Sequence, residues 1–203
     1  MTLSTATARA TEKTAAEEAG FENRAFGFWL YLMSDAVIFA LLFATYMVMV
    51  GNTAGGPDGK ALFSLTNAFA ETMLLLCSSI TFGFASLALV ARQRAAVQIW
   101  LLVTFILGAG FIALEIREFT GLVAQGAGPD RSGFLSSFFS LVGTHGLHVS
   151  FGLIFLAVML LQVTLRGLTP QAASRLYRLG LFWHFLDIVW IGIFSIVYLP
   201  GVL

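Results

Sequence analysis

Residues Leu181–Phe194 read LFWHFLDIVWIGIF. The stretch is apolar enough for the interior of a bilayer, yet it carries His184 and Asp187 on one helical face. Ionisable groups in lipid are costly, so each signals a function or a partner. Trp183 and Trp190 flank the pair. Tryptophan favours the membrane interface, so two of them around a polar pair suggest a packed contact between helices. Two roles stay open for the pair. It forms a carboxylate-oriented histidine of the kind that supports a metal site, or each residue bonds to a different neighbouring helix.

The rest of the chain has the same character. Of 203 residues, 58% are apolar and 11% charged, with 20 phenylalanines. A soluble domain is roughly 45–50% apolar, so the composition defines an all-α polytopic membrane protein. The formal net charge is +0 and no basic stripe is present, which excludes nucleic acid as a partner. The single cysteine, Cys77, excludes an internal disulfide and a cysteine-based zinc site. It lies in an apolar run, and its expected role is packing.

A spanning helix needs roughly 20 mostly apolar residues. Five segments qualify: residues 26–50, 67–91, 95–119, 133–165 and 179–199. The intervening loops include the Gly/Pro-rich GNTAGGPDGK (51–60), the tight basic RQR (92–94), the glycine-rich TGLVAQGAGPDRS (120–132) and the basic RGLTPQAASRLYR (166–178). Residues 1–25 form a polar arm, either mobile or weakly helical, and the first apolar run is too long for a signal peptide. Arg9, Lys13, Arg24, Arg92, Arg94, Arg166, Arg175 and Arg178 gather on one side, while Lys60 and Arg131 lie in the opposite loops. The positive-inside rule then places the arm in the cytoplasm and the C-terminus outside. Arg166, Arg175 and Arg178 become candidate contacts for anionic phospholipid head groups. No repeat or second domain is present.

The candidate functional residues are the ionisable groups within spans: Asp35, Glu71, Glu115, His145, His148, His184 and Asp187. His145 and His148, in GTHGLHVSFG, have a spacing that could ligate a metal from one helix, with His184 as a third ligand. The competing reading uses Gly143, Gly146 and Gly152, which permit close helix approach with the histidines hydrogen-bonding across it. Asp35 falls in the cytoplasmic half of the first span. Glu71 and Glu115 fall toward the outer ends of theirs, and Glu118 reaches the interface beside Arg117. The acids lie at several depths, but spacing alone does not align them into a proton relay. No GxSxG nucleophile elbow, phosphate loop or dinucleotide fingerprint is present.

Together THGLHV (144–149), WHFLDIVW (183–190), MSDAVIF (33–39) and LEIREF (114–119) resemble subunit III of the haem–copper oxidases. Four motifs in family order span residues 27–201, nearly all of the membrane part. The five spans, with GFWLYLMSD and GPDRSGFLSSFFSLVGTHGLHV, are most similar to the cytochrome o type ubiquinol oxidases of bacteria. Asp35 and Glu115 match the family's membrane carboxylates, Asp35 being one methylene shorter than the usual glutamate. The resemblance implies a non-redox subunit of a proton-pumping ubiquinol oxidase in the bacterial inner membrane. It would pack against subunit I, beside subunits II and IV, and hold phospholipid. Haems and copper would sit in subunit I, with no catalytic, cofactor or metal residue in this chain. His145, His148, His184, Asp187 and Glu71 would then be structural. The alternative is a self-contained membrane protein that uses its histidines and acids for metal, haem or proton transport.

Overall fold

The computed structural model describes residues 2–57 and 59–202, side chains excepted at 2–19, 21, 22, 24, 61 and 202. In lipid every backbone N–H and C=O must be satisfied internally, which turns long apolar runs into helices. Helix α1 covers Thr2–Met49 and a single turn, α2, covers Gly59–Leu62. Then come α3 (Leu65–Val90), α4 (Arg94–Ala124), α5 (Gly133–Arg166) and α6 (Pro170–Ile193). A π-helical turn over Phe194–Tyr198 leads into α7, Leu199–Val202. Five segments are long and apolar enough to cross a membrane: Ala25–Met49, Leu65–Val90, Arg94–Ala124, Gly133–Arg166 and Pro170–Gly201. No strand occurs among the described residues. The five-helix, all-α membrane class expected from the sequence is the class observed.

The chain divides into two compact units, one ending at Val37 and one beginning at Ile38. The first consists of helical backbone, so the polar arm is continuous with the helix of the first span. In the second, α3 packs on α4, α4 on α5, α5 on α6, and α6 back on α3, closing a four-helix ring. The final turns of α1 rest on this ring. Phe39 meets His148 with ring centroids 5.2 Å apart, Tyr46 meets Phe134 at 6.2 Å, and the Phe43 ring covers Gly192.

Local signals set the helix ends. At the α3–α4 turn, the Gln93 N–H donates to the Ala88 carbonyl (2.9 Å) while Arg92 takes a φ of 53°. This is the left-handed helix stop that usually carries glycine, here carried by arginine. Helix α4 runs to Ala124, beyond the expected end at Phe119, and stops at Gly126 (φ 75°). The apolar pattern ends before the helix does because polar side chains there bond back to their own helix. Thr120 Oγ1 donates to the Ile116 carbonyl (2.9 Å) and Gln125 Nε2 to the Gly121 carbonyl (3.1 Å). Helix α6 begins well before its apolar stretch, at Pro170, with the Thr169 hydroxyl accepting the Ala172 N–H (3.2 Å). Much of the segment read as a basic loop is therefore the first turns of α6.

One expectation is corrected. Cys77 is exposed, not packed in the interior. The outward face of a membrane helix is as apolar as its inward face, so an apolar neighbourhood does not report burial. Small residues do mark the interior. The ring of Trp183, on α6, fills the space left by Gly108 on α4 and Gly152 on α5. An added Cβ would lie 2.9 Å from that ring at Gly108 and 3.0 Å at Gly152. Gly180 admits Phe82 of α3 in the same manner, at 2.8 Å.

This packing yields a test. Gly108→Ala should destabilise the bundle by about 1–3 kcal/mol through overpacking. Gly83→Ala, where nothing lies within 4 Å of the new methyl group, should be close to neutral. Thermal unfolding in detergent, followed by circular dichroism, compares the two. Equal midpoints would refute the close approach at Trp183.

Candidate functional site

Three side-chain hydrogen bonds join α6 to α3, and all of them use the segment WHFLDIVW. Trp190 Nε1 donates to Thr72 Oγ1 (3.1 Å), and Trp183 Nε1 donates to Ser78 Oγ (3.0 Å). His184 Nδ1 shares a hydrogen bond with Ser79 Oγ (2.6 Å). The α3 hydroxyls are suited to this because they also serve their own helix. Thr72 donates to the Ala68 carbonyl (2.8 Å) and Ser78 to the Leu75 carbonyl (2.7 Å). Each hydroxyl thus gives its proton along α3 and offers its oxygen to the indole of α6. The donors on α6 lie two turns apart, as do their acceptors on α3, so both sets fall on facing stripes.

The His184–Asp187 pair is resolved by the same seam. Asp187 Oδ2 lies 3.8 Å from His184 Nδ1, too long for a hydrogen bond, and Ser79 occupies that nitrogen instead. The His184 side chain is 47% exposed while that of Asp187 is 8% exposed. The two residues therefore occupy different environments: one sits beside α3 at the outer surface and the other points inward.

His145 is fully buried on α5. Its Nε2–H donates to the Leu186 carbonyl of α6 (3.2 Å), and its ring packs with Trp190 (5.1 Å) and Phe111 (5.7 Å). His148, half-buried, donates Nδ1–H to the Thr144 carbonyl of its own helix (2.8 Å). The three histidines thus direct these nitrogens to three separate places. Among the described residues, no three His, Cys, Asp or Glu side chains converge as a metal site. Of the glycines beside them, Gly152 receives Trp183, Gly146 receives the Glu115 carboxylate, and Gly143 lies 3.5 Å from Phe119.

The carboxylates separate into two groups. Asp35 is buried on α1, on the face that also carries Leu32 and Phe39. Glu71 of α3 and Glu115 of α4 are buried; Glu71 lines a cavity that Glu118 also lines, and Glu115 lines a groove against α5. Glu118 is half-buried, and its Oε2 accepts the Tyr198 hydroxyl (2.9 Å). Tyr198 sits on the π-helical turn, a feature that recurs at functional positions. Of the arginines, Arg166 is exposed, Arg175 donates to Gln162 Oε1 (2.8 Å) and Arg178 to Ser174 Oγ (2.8 Å).

Sequence reading missed Thr72, Ser78, Ser79 and Tyr198. The hydroxyls on α3 repeat over two turns, as the donors on α6 do, and that shared spacing was the available signal.

The family model described as cytochrome c oxidase subunit III matches residues 3–202. The chain belongs to this family. It is 59% identical over 177 residues to cytochrome bo(3) ubiquinol oxidase subunit 3 of Pseudomonas putida, covering 87% of this chain and 86% of that protein. Identity to the protein of the same name from Pseudomonas aeruginosa is 56% over 181 residues, 89% of this chain and 87% of that protein. The protein of that name from Buchnera aphidicola subsp. Baizongia pistaciae is 48% identical over 181 residues, covering 89% and 93%.

A double-mutant cycle on Ser79→Ala and His184→Ala should return a coupling energy of about 0.6 kcal/mol, with ~1.7 kcal/mol as the upper range for membrane hydrogen bonds. Unfolding free energies in mixed micelles supply the four corners. A coupling of zero would show that the contact does not hold α6 to α3.

Proposed function

We infer that this chain is subunit III of a terminal ubiquinol oxidase of the aerobic respiratory chain, a complex that oxidises ubiquinol and reduces oxygen to water. The observation that carries this is the subunit III match over residues 3–202, joined to 59% identity with a ubiquinol oxidase subunit 3. Within that complex the chain has no redox centre of its own. The donor set supports this. His145 spends a nitrogen on the Leu186 carbonyl and His184 on Ser79, so these two are used as helix connectors, while His148 bonds to Thr144 of its own helix. Haems and copper then belong to subunit I, and proton pumping to the complex as a whole.

The part played by this chain is to brace subunit I, with subunits II and IV completing the assembly. The apolar exterior supports a multi-pass position in the bacterial cytoplasmic membrane. The excess of arginine at the α3–α4 and α5–α6 connections supports a cytoplasmic N-terminus. It also puts Arg166, Arg175 and Arg178 at the depth of anionic head groups. Arg175 donates to Gln162 and Arg178 to Ser174 within the chain.

The test is co-purification. Tagged chain, expressed with its neighbours and extracted in mild detergent, should bring down a haem-containing complex that oxidises ubiquinol. The chain separated from that complex should show no haem spectrum. A separated chain that keeps its own haem or metal would overturn the reading. Asp187→Ala should lower the amount of this subunit retained while leaving the haem spectrum of the remaining complex unchanged. Loss of a haem signal with the subunit still bound would count against a bracing role.

A further inference from the structure

A cavity of about 180 Å³ opens at the end of the ring where α3 begins and α4 finishes. Its polar lining consists of Ser64, Asn67, Glu71, Arg117, Glu118 and Gln125. Glu71 differs from the others. Its exposure is 0%, and neither carboxylate oxygen has a hydrogen-bond partner among protein groups. Glu115, on α4 and 4% exposed, likewise has an unpartnered Oε2, but it lines a separate groove between α4 and α5. Glu71 and Glu118 thus line one small cavity, with both Glu71 oxygens unpartnered. A buried, unpaired carboxylate is among the least favourable groups a protein can hold, and several together are worse. A proton removes the charge and converts an acceptor into a donor that a neighbouring carboxylate can use.

We propose that Glu71 and Glu118 form a proton-holding site that exchanges with water through this cavity. The cavity has room for several water molecules, and its polar rim supplies the partners that ordered water requires. Exchange is a simple transfer: a carboxyl passes its proton to a cavity water, leaving a carboxylate and a hydronium ion, and the reverse step reloads it. The other groups facing the cluster are few. Helix α4 adds Arg117 at the exposed rim, and the π-helical turn adds Tyr198, whose hydroxyl proton is directed at Glu118. Lys60 of α2 is exposed. Glu115 turns to α5, where Gly146 packs on its carboxylate, while the neighbouring His145 turns to the Leu186 carbonyl. A proton suits the site better than a metal cation. Arg117 already brings positive charge to the cavity, and no three ligand side chains converge among the described residues. The proposal stands on the geometry of this chain and does not require the oxidase reading.

Infrared spectroscopy of the purified protein, with whatever partners it retains, tests the site directly. The unmutated protein should show the carbonyl stretch of a protonated carboxyl at neutral pH. That band should move on exchange into deuterated buffer and be lost in Glu71→Gln or Glu118→Gln. Spectra of both variants identical to the parent would overturn the proposal, and so would a band that deuterated buffer leaves unmoved. Labelling glutamate carboxyls with carbon-13 in the unmutated protein covers the case of a variant that fails to fold. A protonated glutamate band that shifts with the label supports the site, and its absence refutes it.

Discussion

The four-helix ring depends on where one indole sits. Trp183 projects from α6 into the gap left by Gly108 of α4 and Gly152 of α5, and its N–H ends on Ser78 of α3. One side chain therefore touches every other helix of the ring. In a membrane no water is released when apolar faces meet, so association relies on close packing and interhelical hydrogen bonds. Trp183 supplies both. The glycines give the ring its space, and the serine gives the N–H its acceptor. Trp190 repeats the arrangement two turns on, bonding Thr72 and stacking edge-on against Phe111 at 4.6 Å.

This explains why the interior tolerates so many polar atoms. The seam hydroxyls Thr72 and Ser78 each have two demands, one met along α3 and one across to α6. His145 bridges α5 to α6 through a backbone carbonyl, with aromatic rings around it. None of these contacts needs a charge, so none carries the penalty of an ion in lipid. The acids are handled differently. Glu71 and Glu118 line a polar cavity at one end, whereas the indole seam runs through the apolar middle of α6.

The broad fold could be read from the sequence because span length and apolarity are direct consequences of bilayer thickness. Five runs gave five helices, and the Pro and Gly punctuation fell at or near real helix ends. What could not be read was direction. An exposed Cys77 and a buried Leu75 have the same apolar surroundings in sequence, since lipid and protein interior accept the same side chains. Helix ends were misjudged for a related reason. Thr120 and Gln125 are polar, yet their side chains cap carbonyls of their own helix and let α4 continue. The functional residues were half legible. His184 and Asp187 stood out as charges in lipid, but their partners were ordinary serines and threonines, which carry no such contrast. The shared face of the pair was real. The bond between its members was not, because Ser79 competes for the same nitrogen at shorter range.

The end of α6 shows how a local irregularity can serve the whole. A helix that continued as regular α past Ile193 would turn its later side chains by a different amount from one that passes through the π-helical turn over Phe194–Tyr198. With the turn, Tyr198 is buried among Phe63, Phe138 and Trp190, and its hydroxyl reaches Glu118 on α4. The same element that begins with the indole seam thus ends by closing the acid cluster. It fixes α3 through Trp183, His184 and Trp190, and it reaches α4 through Tyr198. The hydrogen bond to Glu118 is therefore tied to the register of α6. A shift of that helix along α3 would break the indole bonds and move the tyrosine away from Glu118 in one step, which couples the apolar middle of the bundle to its polar end.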